Sequence, residues 1–501
     1  MKVLLLYPEF PDTFWSFKHA LKFVSKKSAS PPLGLLTVAA MLPKDWELRL
    51  VDFNVAQLTD EDLTWADYVF ISAMGIQRAS VNETVERCRA AGVKVVAGGP
   101  LFTADSESFP NIDHLVLNEA ETTLPPFLAD LAAGHPKRIY DSIEFPDLTL
   151  TPVPRWDLLD MKHYLGINIQ YSRGCPFNCD FCNVTTLFGH KPRTKTPAQV
   201  VAELQLLYDI GFHGQIFFVD DNFIGNKKKL KQEILPALSE WRKDKKSVSF
   251  MTEVSINLAD DDELMDMMVA AGFNSVFVGI ETPNDDSLAE CGKGQNRGRN
   301  LIENVRRIQA RGMQVAAGFI IGFDNDPLSI FEQQIDFIQK SGIVTAMVGL
   351  LQAPRGTELY SRLEKEGRLL GDSSGDNTDY SMNFIPKMNL DALQTGYQRV
   401  LNEIYSPHGY YARVRTFLRD FNPSPDIKSP LTSMEVAALF RSIYLLGITG
   451  VGRMEYWRLF FWALFRRPKL FPMAITMSVY GHHFRQVYEL YVCRPQLKVT
   501  K

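Results

Sequence analysis

Two patterns alternate along most of this chain. Short continuous apolar runs at 2–7, 48–53, 68–73, 94–97 and 114–117 are separated by segments at 33–42, 81–91 and 124–133, whose apolar positions recur every three or four residues. Continuous apolar runs suit parallel strands buried on both faces. Their alternation with helices predicts an open, doubly wound parallel sheet. After a Pro-rich stretch at 145–156 the alternation resumes. Strands are expected at 167–171, 215–219, 249–254, 275–280, 314–321 and 345–350, with helices at 198–210, 228–241, 263–271, 300–311, 329–341 and near 358–366. Repeated pairs of this kind predict a partial (β/α)6 barrel with its chemistry at the carboxyl ends of the strands.

Beyond residue 360 the pattern changes. A polar loop at 371–379 precedes Val436, Leu439, Phe440, Ile443 and Leu446, which fall at helical spacing and read as a core-facing helix. The runs 459–465 and 470–480 are intensely apolar, yet well short of the ~20 residues that span a bilayer. Between them lie Arg466, Arg467 and Lys469. Aromatic residues beside arginines suit a membrane surface, so peripheral contact with the inner membrane face is one reading. A buried helical lid over the barrel is the preferred one. The expected class is α/β: a Rossmann-like domain (1–140), a linker (141–160), the barrel (161–360) and a mainly helical C-terminal domain (361–501).

Composition adds little to this organisation. Hydrophobic residues make up 46% and charged residues 22% of 501 residues, and the net charge is −4, so no nucleic acid partner is expected. The opening MKVLLLYPEF is too short an apolar run for a signal peptide and reads as a first strand. Of six cysteines, three crowd into one loop, while Cys88, Cys291 and Cys493 are scattered. That is no disulfide framework and fits a reducing cytoplasm.

The crowded loop carries the chemistry. Cys175, Cys179 and Cys182 stand in Ser172-Arg173-Gly174-Cys175-Pro176-Phe177-Asn178-Cys179-Asp180-Phe181-Cys182, just after the first barrel strand. Thiolates are the usual ligands of iron–sulfur clusters. Three of them on a [4Fe–4S] cube leave one iron open to substrate or cofactor, by the logic of a catalytic metal site with a free position. Zinc is the alternative, but it usually takes four ligands, often as two Cys-x-x-Cys pairs, and there is no second pair.

The Cys175-x-x-x-Cys179-x-x-Cys182 spacing, with Phe181 before the last cysteine, resembles the signature of the radical S-adenosylmethionine enzymes. That resemblance implies that the open iron chelates S-adenosylmethionine, whose reductive cleavage gives a hydrogen-abstracting deoxyadenosyl radical. It further implies a one-electron donor such as flavodoxin or ferredoxin. By the same resemblance Asp220, Asp221 and Asn222 occupy the place that contacts the amino and carboxylate end of S-adenosylmethionine. Glu253 stands where a carboxylate holds ribose hydroxyls, and Gly318 belongs to the strand that packs on adenine. Glu281 joins this strand-end set, with an ion pair to a neighbouring Lys or Arg as its alternative role. Cys291 is a candidate hydrogen-atom donor, though a lone cysteine is usually inert. His190 and Lys191 either contact substrate or solvate the loop.

The N-terminal domain resembles the cobalamin-binding domain that precedes many radical S-adenosylmethionine cores. Ser72, Ala73, Gly75, Gly98, Gly99 and Pro100 lie at strand ends, where small residues admit a nucleotide-like tail. The Asp-x-His-x-x-Gly motif that supplies a cobalt ligand is replaced by Asp52-Phe53-Asn54-Val55-Ala56. Residues 31–37, 191–197 and 220–226 are similar to the subgroup containing the hopanoid C-2 methylases, whereas 11–19 do not match it. The resemblance implies transfer of a methyl group from methylcobalamin to an unactivated carbon of a small-molecule or lipid substrate. Ring formation or hydroxylation with the same cofactors is the alternative, and a non-catalytic cobalamin- or cluster-binding protein is the second.

Overall fold

The computed structural model describes residues 1–376, 378–423 and 432–493, so one position of the polar loop at 371–379 lies outside the described residues. The first sheet contains β1 (Lys2–Tyr7), β2 (Glu47–Asp52), β3 (Tyr68–Ser72), β4 (Lys94–Gly98), β5 (His114–Val116) and β6 (Ile139–Tyr140). All pairs are parallel, in the order β2-β1-β3-β4-β5-β6. Alternate residues feed two separate cores, as the pleat requires. Leu4, Leu6, Val69 and Ile71 enter one, and Val3, Leu5, Phe70 and Val96 the other.

The second sheet is built from β7 (Ile167–Ile169), a short hairpin of β8 (Ser172–Arg173) and β9 (Arg193–Thr194), then β10 (Gln215–Phe218), β11 (Ser249–Val254), β12 (Phe273–Glu281), β13 (Gln314–Ile321) and β14 (Ala346–Leu350). Its order is β14-β13-β12-β11-β10-β7, all parallel, with β8 and β9 paired apart from it. No pairing joins β14 to β7, so this is the expected open (β/α)6 barrel. Helices of the C-terminal region shield its edge. Tyr397 and Tyr405 donate their hydroxyls to the carbonyls of Val348 and Ala346 on β14, which caps an edge that would otherwise be free to pair.

Two connections differ from expectation. Residues 145–164 form a series of short turns in which Leu148, Trp156 and Tyr164 are buried. Residues 8–30 leave the first sheet and strap across the barrel and the C-terminal helices. Phe14 is fully buried in the barrel core, the ring of Trp15 sits 4.8 Å from that of Phe277, and His483 Nε2 lies 3.1 Å from the Phe14 carbonyl.

The C-terminal helices are Leu390–Tyr405, Pro407–Asp420, Ser433–Ser442, Arg453–Arg466 and Phe471–Val487. Phe471–Val487 buries eight residues against the core, as a lid should. The helix around Val436 does not. Of the positions expected to face the core, Leu446 is buried, whereas Phe440 is 66% and Val436 42% exposed. Helical spacing marks an apolar face but not what covers it, and this face points outward.

Candidate functional site

The three-cysteine loop is held by backbone rather than by packing. Cys175 N donates to Gly189 O (3.2 Å), Asp180 N to Cys291 O (3.1 Å), and Leu359 N to Asp180 O (2.8 Å). Gly174 has φ +97°, and a Cβ there would lie 2.8 Å from Gly189 O, so only glycine allows the strand to turn into the loop. Burial pushes the thiol of Cys182 up to about 12 and raises Cys175 and Cys179, each within the others' electrostatic reach. Thiolate is the ligating form. Cationic metal is what would offset that burial, so the donor set fits an iron–sulfur cluster. Among the described residues no three His, Cys, Asp or Glu side chains sit close enough for a single metal ion. A cluster several atoms across asks for a wider ring of thiols.

The strand-end carboxylates divide into two kinds. Asp220 is buried and accepts from Tyr171 N (3.2 Å), Ser172 N and Ser172 Oγ. Asp221 accepts from Gly174 N (2.8 Å). Burial raises them to about 7 and about 6. Asn222 bridges to Ser255, its Oδ1 accepting from Ser255 N at 3.2 Å. All three are expected at the amino and carboxylate end of S-adenosylmethionine; in the structure their polar atoms also hold the cluster loop and the β10–β11 junction. Glu281, in the left-handed region at φ 63°, is ion-paired with buried Lys293, the alternative its sequence context allowed. The thiol of Cys291, the candidate hydrogen-atom donor, is fully buried in the barrel core and lies 3.7 Å from Leu288 O.

Glu253 is different. It has no hydrogen-bond partner among the described residues, and burial with Asp221, Asp220 and Glu281 nearby pushes its carboxyl up to about 8. In register beside it stands Phe277, and next along β12 Gly279 pairs with Gly318 on β13. Both glycines are closely covered: a Cβ on Gly279 would lie 2.6 Å from Lys293 Nζ, against the Glu281–Lys293 ion pair. A Cβ on Gly318 would press on the Phe277 ring at 3.2 Å. An unpartnered carboxyl near a strand end fits the hydroxyls of a nucleoside.

The first sheet meets the barrel across an open cleft of about 280 Å³. Ser72, Gly99 and Pro100 line one side, Thr37 and Val38 of the helix Leu33–Met41 another, and Gln170, Arg173, Phe188 and Val219 the barrel side. A narrower slot of about 50 Å³ runs from Ser72, Gly98 and Gly99 down between Leu35 and Leu124. Gly99 has φ +94°, and a Cβ would lie 2.9 Å from Ser72 Oγ and fill the junction of cleft and slot. An open cleft lined by Ser72 and Gly99, small residues at strand ends, would let a corrinoid approach the backbone closely. Ala73 shapes the wall through its backbone, accepting from Leu101 N at 3.0 Å, while Gly75 lies in open space. The Asp52 turn is closed on itself. Its carboxylate accepts from Asn54 N (2.9 Å), Asn54 Nδ2 (2.7 Å) and Tyr164 OH (3.0 Å), so nothing there is offered to a metal.

Sequence reading missed the clamp that holds the two halves together. Glu119 accepts from Arg173 (2.6 Å) and Arg193 (2.7 Å), and Glu121 from Arg173 (2.9 Å) and Thr151 (2.7 Å). Burial pushes Glu121 up, but Arg173 outweighs it and leaves the carboxyl below its ordinary range. Lys293, beside the cysteines, and Trp15, over the lumen, were missed as well. The clamp and Trp15 depend on contacts distant in the chain, which no local pattern encodes, whereas Lys293 is the neighbouring cation that the Glu281 alternative left unnamed.

Comparison with known proteins agrees with this geometry. Residues 169–338 match the radical SAM superfamily, residues 24–128 a B12 binding domain, and residues 357–496 a domain of unknown function. An uncharacterized methyltransferase of Synechocystis is 41% identical over 98% of this chain and 92% of its own. The hopanoid C-2 methylase of Rhodopseudomonas palustris is 33% identical over 96% of this chain and 92% of its own. The fold resembles the cobalamin-dependent radical enzyme OxsB (TM-score 0.63, 14% identity, 97% of this chain and 79% of that one). It also resembles the methyltransferase TsrM from Kitasatospora setae (TM-score 0.60, 15% identity, 97% and 99%).

Proposed function

This chain belongs to the cobalamin-dependent radical S-adenosylmethionine enzymes, in the subgroup that contains the hopanoid C-2 methylases, and from that premise we propose that it methylates an unactivated carbon of an apolar small-molecule or lipid substrate. When bound, the [4Fe–4S] cluster with S-adenosylmethionine supplies a hydrogen-abstracting radical and methylcobalamin supplies the methyl group. Cys175, Cys179 and Cys182 would hold the cluster, Glu253 the nucleoside, and the Ser72–Gly99–Pro100 cleft the corrinoid. The observation that carries the reading is the placement of Arg173. It stands two residues before Cys175, lines the cleft, and is clamped to Glu119 and Glu121 of the other domain. One buried network thus aligns the thiol loop with the corrinoid cleft, and orientation is the protein's contribution to such chemistry.

Other residues keep water out and choose the substrate. Met251, Phe277 and Ala316 share the strand faces that carry Glu253, Gly279 and Gly318. Trp15 covers Phe277 from the strap. An apolar lumen capped by an indole favours an apolar substrate and shields a radical from solvent. A flavodoxin- or ferredoxin-type donor would supply the electron. The test compares a deletion strain with its complemented form, both fed methyl-deuterated methionine, by mass spectrometry of lipid and metabolite extracts. A compound carrying an intact deuterated methyl only in the complemented strain supports the reading, and Cys182→Ala complementation should lose it. Identical labelled extracts from both strains would refute it.

A further inference from the structure

We propose that the helical hairpin of residues 433–466 seats the protein on the surface of an anionic lipid bilayer, with the hairpin tip entering the interfacial layer. The inward sides of its two legs are already used. Ser442 Oγ and Tyr456 OH lie 2.9 Å apart, and Trp457 Nε1 donates to Gly447 O at 2.9 Å. What remains outward is apolar. Val436, Phe440, Tyr444 and Ile448 are exposed at four-residue intervals on the first leg, and Phe461 and Phe465 on the second. At the tip Val451 is 95% and Met454 64% exposed. Eleven of the twenty-seven exposed large apolar side chains among the described residues fall between Met434 and Phe465, a concentration that single scattered surface residues do not produce.

Charge selects the occupant. Residues 433–469 carry six Lys or Arg and two Glu, a balance of +4 in a chain whose net charge is −4. Both acids are engaged locally: Glu435 closes a capping box with Thr432, and Glu455 accepts from Arg458 at 2.5 Å. Arg441 and Arg467 turn inward onto backbone carbonyls, Arg441 onto Phe23 O at 2.7 Å. Arg453, Arg466 and Lys469 stay exposed or partly so, with no ion pair among the described residues. A second copy of the chain would bring these cations against their own equivalents. A surface of anionic headgroups over acyl chains matches both the cations and the apolar tip. No helix among the described residues is long and apolar enough to cross a membrane, so the hairpin would lie on the bilayer. The proposal stands apart from the methylation reading, since it uses no residue of the cleft or lumen.

The experiment is co-sedimentation of the reconstituted full-length protein with vesicles of phosphatidylglycerol and phosphatidylcholine, against phosphatidylcholine alone. Binding to the anionic vesicles that weakens with salt is expected. Val451→Glu combined with Met454→Glu should lower it about tenfold or more, with iron content and S-adenosylmethionine cleavage unchanged. Arg453→Glu, Arg466→Glu and Lys469→Glu together should remove the preference for anionic vesicles. The proposal is overturned if the wild type stays in the supernatant with both, or if the variants bind as the wild type does. A wild-type dimer in sedimentation equilibrium that Val451→Glu dissociates would also overturn it, by showing that a second copy covers the face.

Discussion

Removing Glu119 tests the clamp on which the alignment of the two halves depends. Its side chain is 3% exposed and accepts from Arg173 at 2.6 Å and from Arg193 at 2.7 and 3.1 Å. In Glu119→Ala, Arg193 keeps the carbonyls of Pro146 (2.8 Å) and Phe188 (3.1 Å), and Arg173 keeps Glu121. Breaking a buried ion pair on one side costs about 3–5 kcal/mol, mostly because a charge is left buried without its partner. With these remaining contacts the low end, about 3 kcal/mol, applies. At about 2–4 °C per kcal/mol for a unit of 150–250 residues, the first melting transition should fall by about 6–12 °C. Scanning calorimetry reads it, and retention of cobalamin through gel filtration should fall in parallel. The control is Asp157→Ala, which breaks an exposed pair with Arg155 and should cost less than about 1 kcal/mol. If Glu119→Ala melts no lower than Asp157→Ala, the clamp does not hold the domains together.

Three other outcomes follow from single sites. Gly99→Ala places a Cβ 2.9 Å from Ser72 Oγ at a φ of +94°, so it should destabilise the first sheet by roughly 1–3 kcal/mol and weaken cobalamin binding in absorbance titrations. Glu253, held near 8 by burial and neighbouring acids, is mostly protonated at neutral pH. Ligand hydroxyls and a sulfonium cation favour its carboxylate, so S-adenosylmethionine affinity should rise with pH up to about 8 and binding should release protons. Calorimetry in buffers of different ionisation enthalpy measures this, and Glu253→Gln should flatten the dependence; proton uptake by the wild type would contradict it. Trp15→Ala uncovers Phe277 and should lower methylated product per deoxyadenosine formed while leaving S-adenosylmethionine cleavage intact, as chromatography of both products would show.

The barrel was legible because strand-length segments rich in apolar residues alternate with helical ones; β11 and β13 fall within their expected bounds. The strands β6, β8 and β9, two residues each, carry no periodicity and were invisible. The cysteine loop was legible as a spacing, since thiols that share one object must lie close in the chain. The contacts of Asp220 and Asp221 with the cluster-loop backbone were not. An acidic pair at a strand end looks the same whether it faces a ligand or the backbone of the next loop. Glu119 and Arg193 meet across 74 residues of chain, which no local pattern shows. On the Val436 helix, pattern and structure part because amphipathicity marks an apolar face equally well when it is exposed.

The most direct measurement is electron–nuclear double resonance on the reduced, anaerobically reconstituted protein mixed with S-adenosylmethionine labelled at its amino nitrogen. A cluster held by Cys175, Cys179 and Cys182 alone predicts coupling between the label and the cluster, lost together with deoxyadenosine formation when any of the three is changed to alanine. Bound zinc without iron, or a reduced cluster with no coupling to the label, would contradict the account.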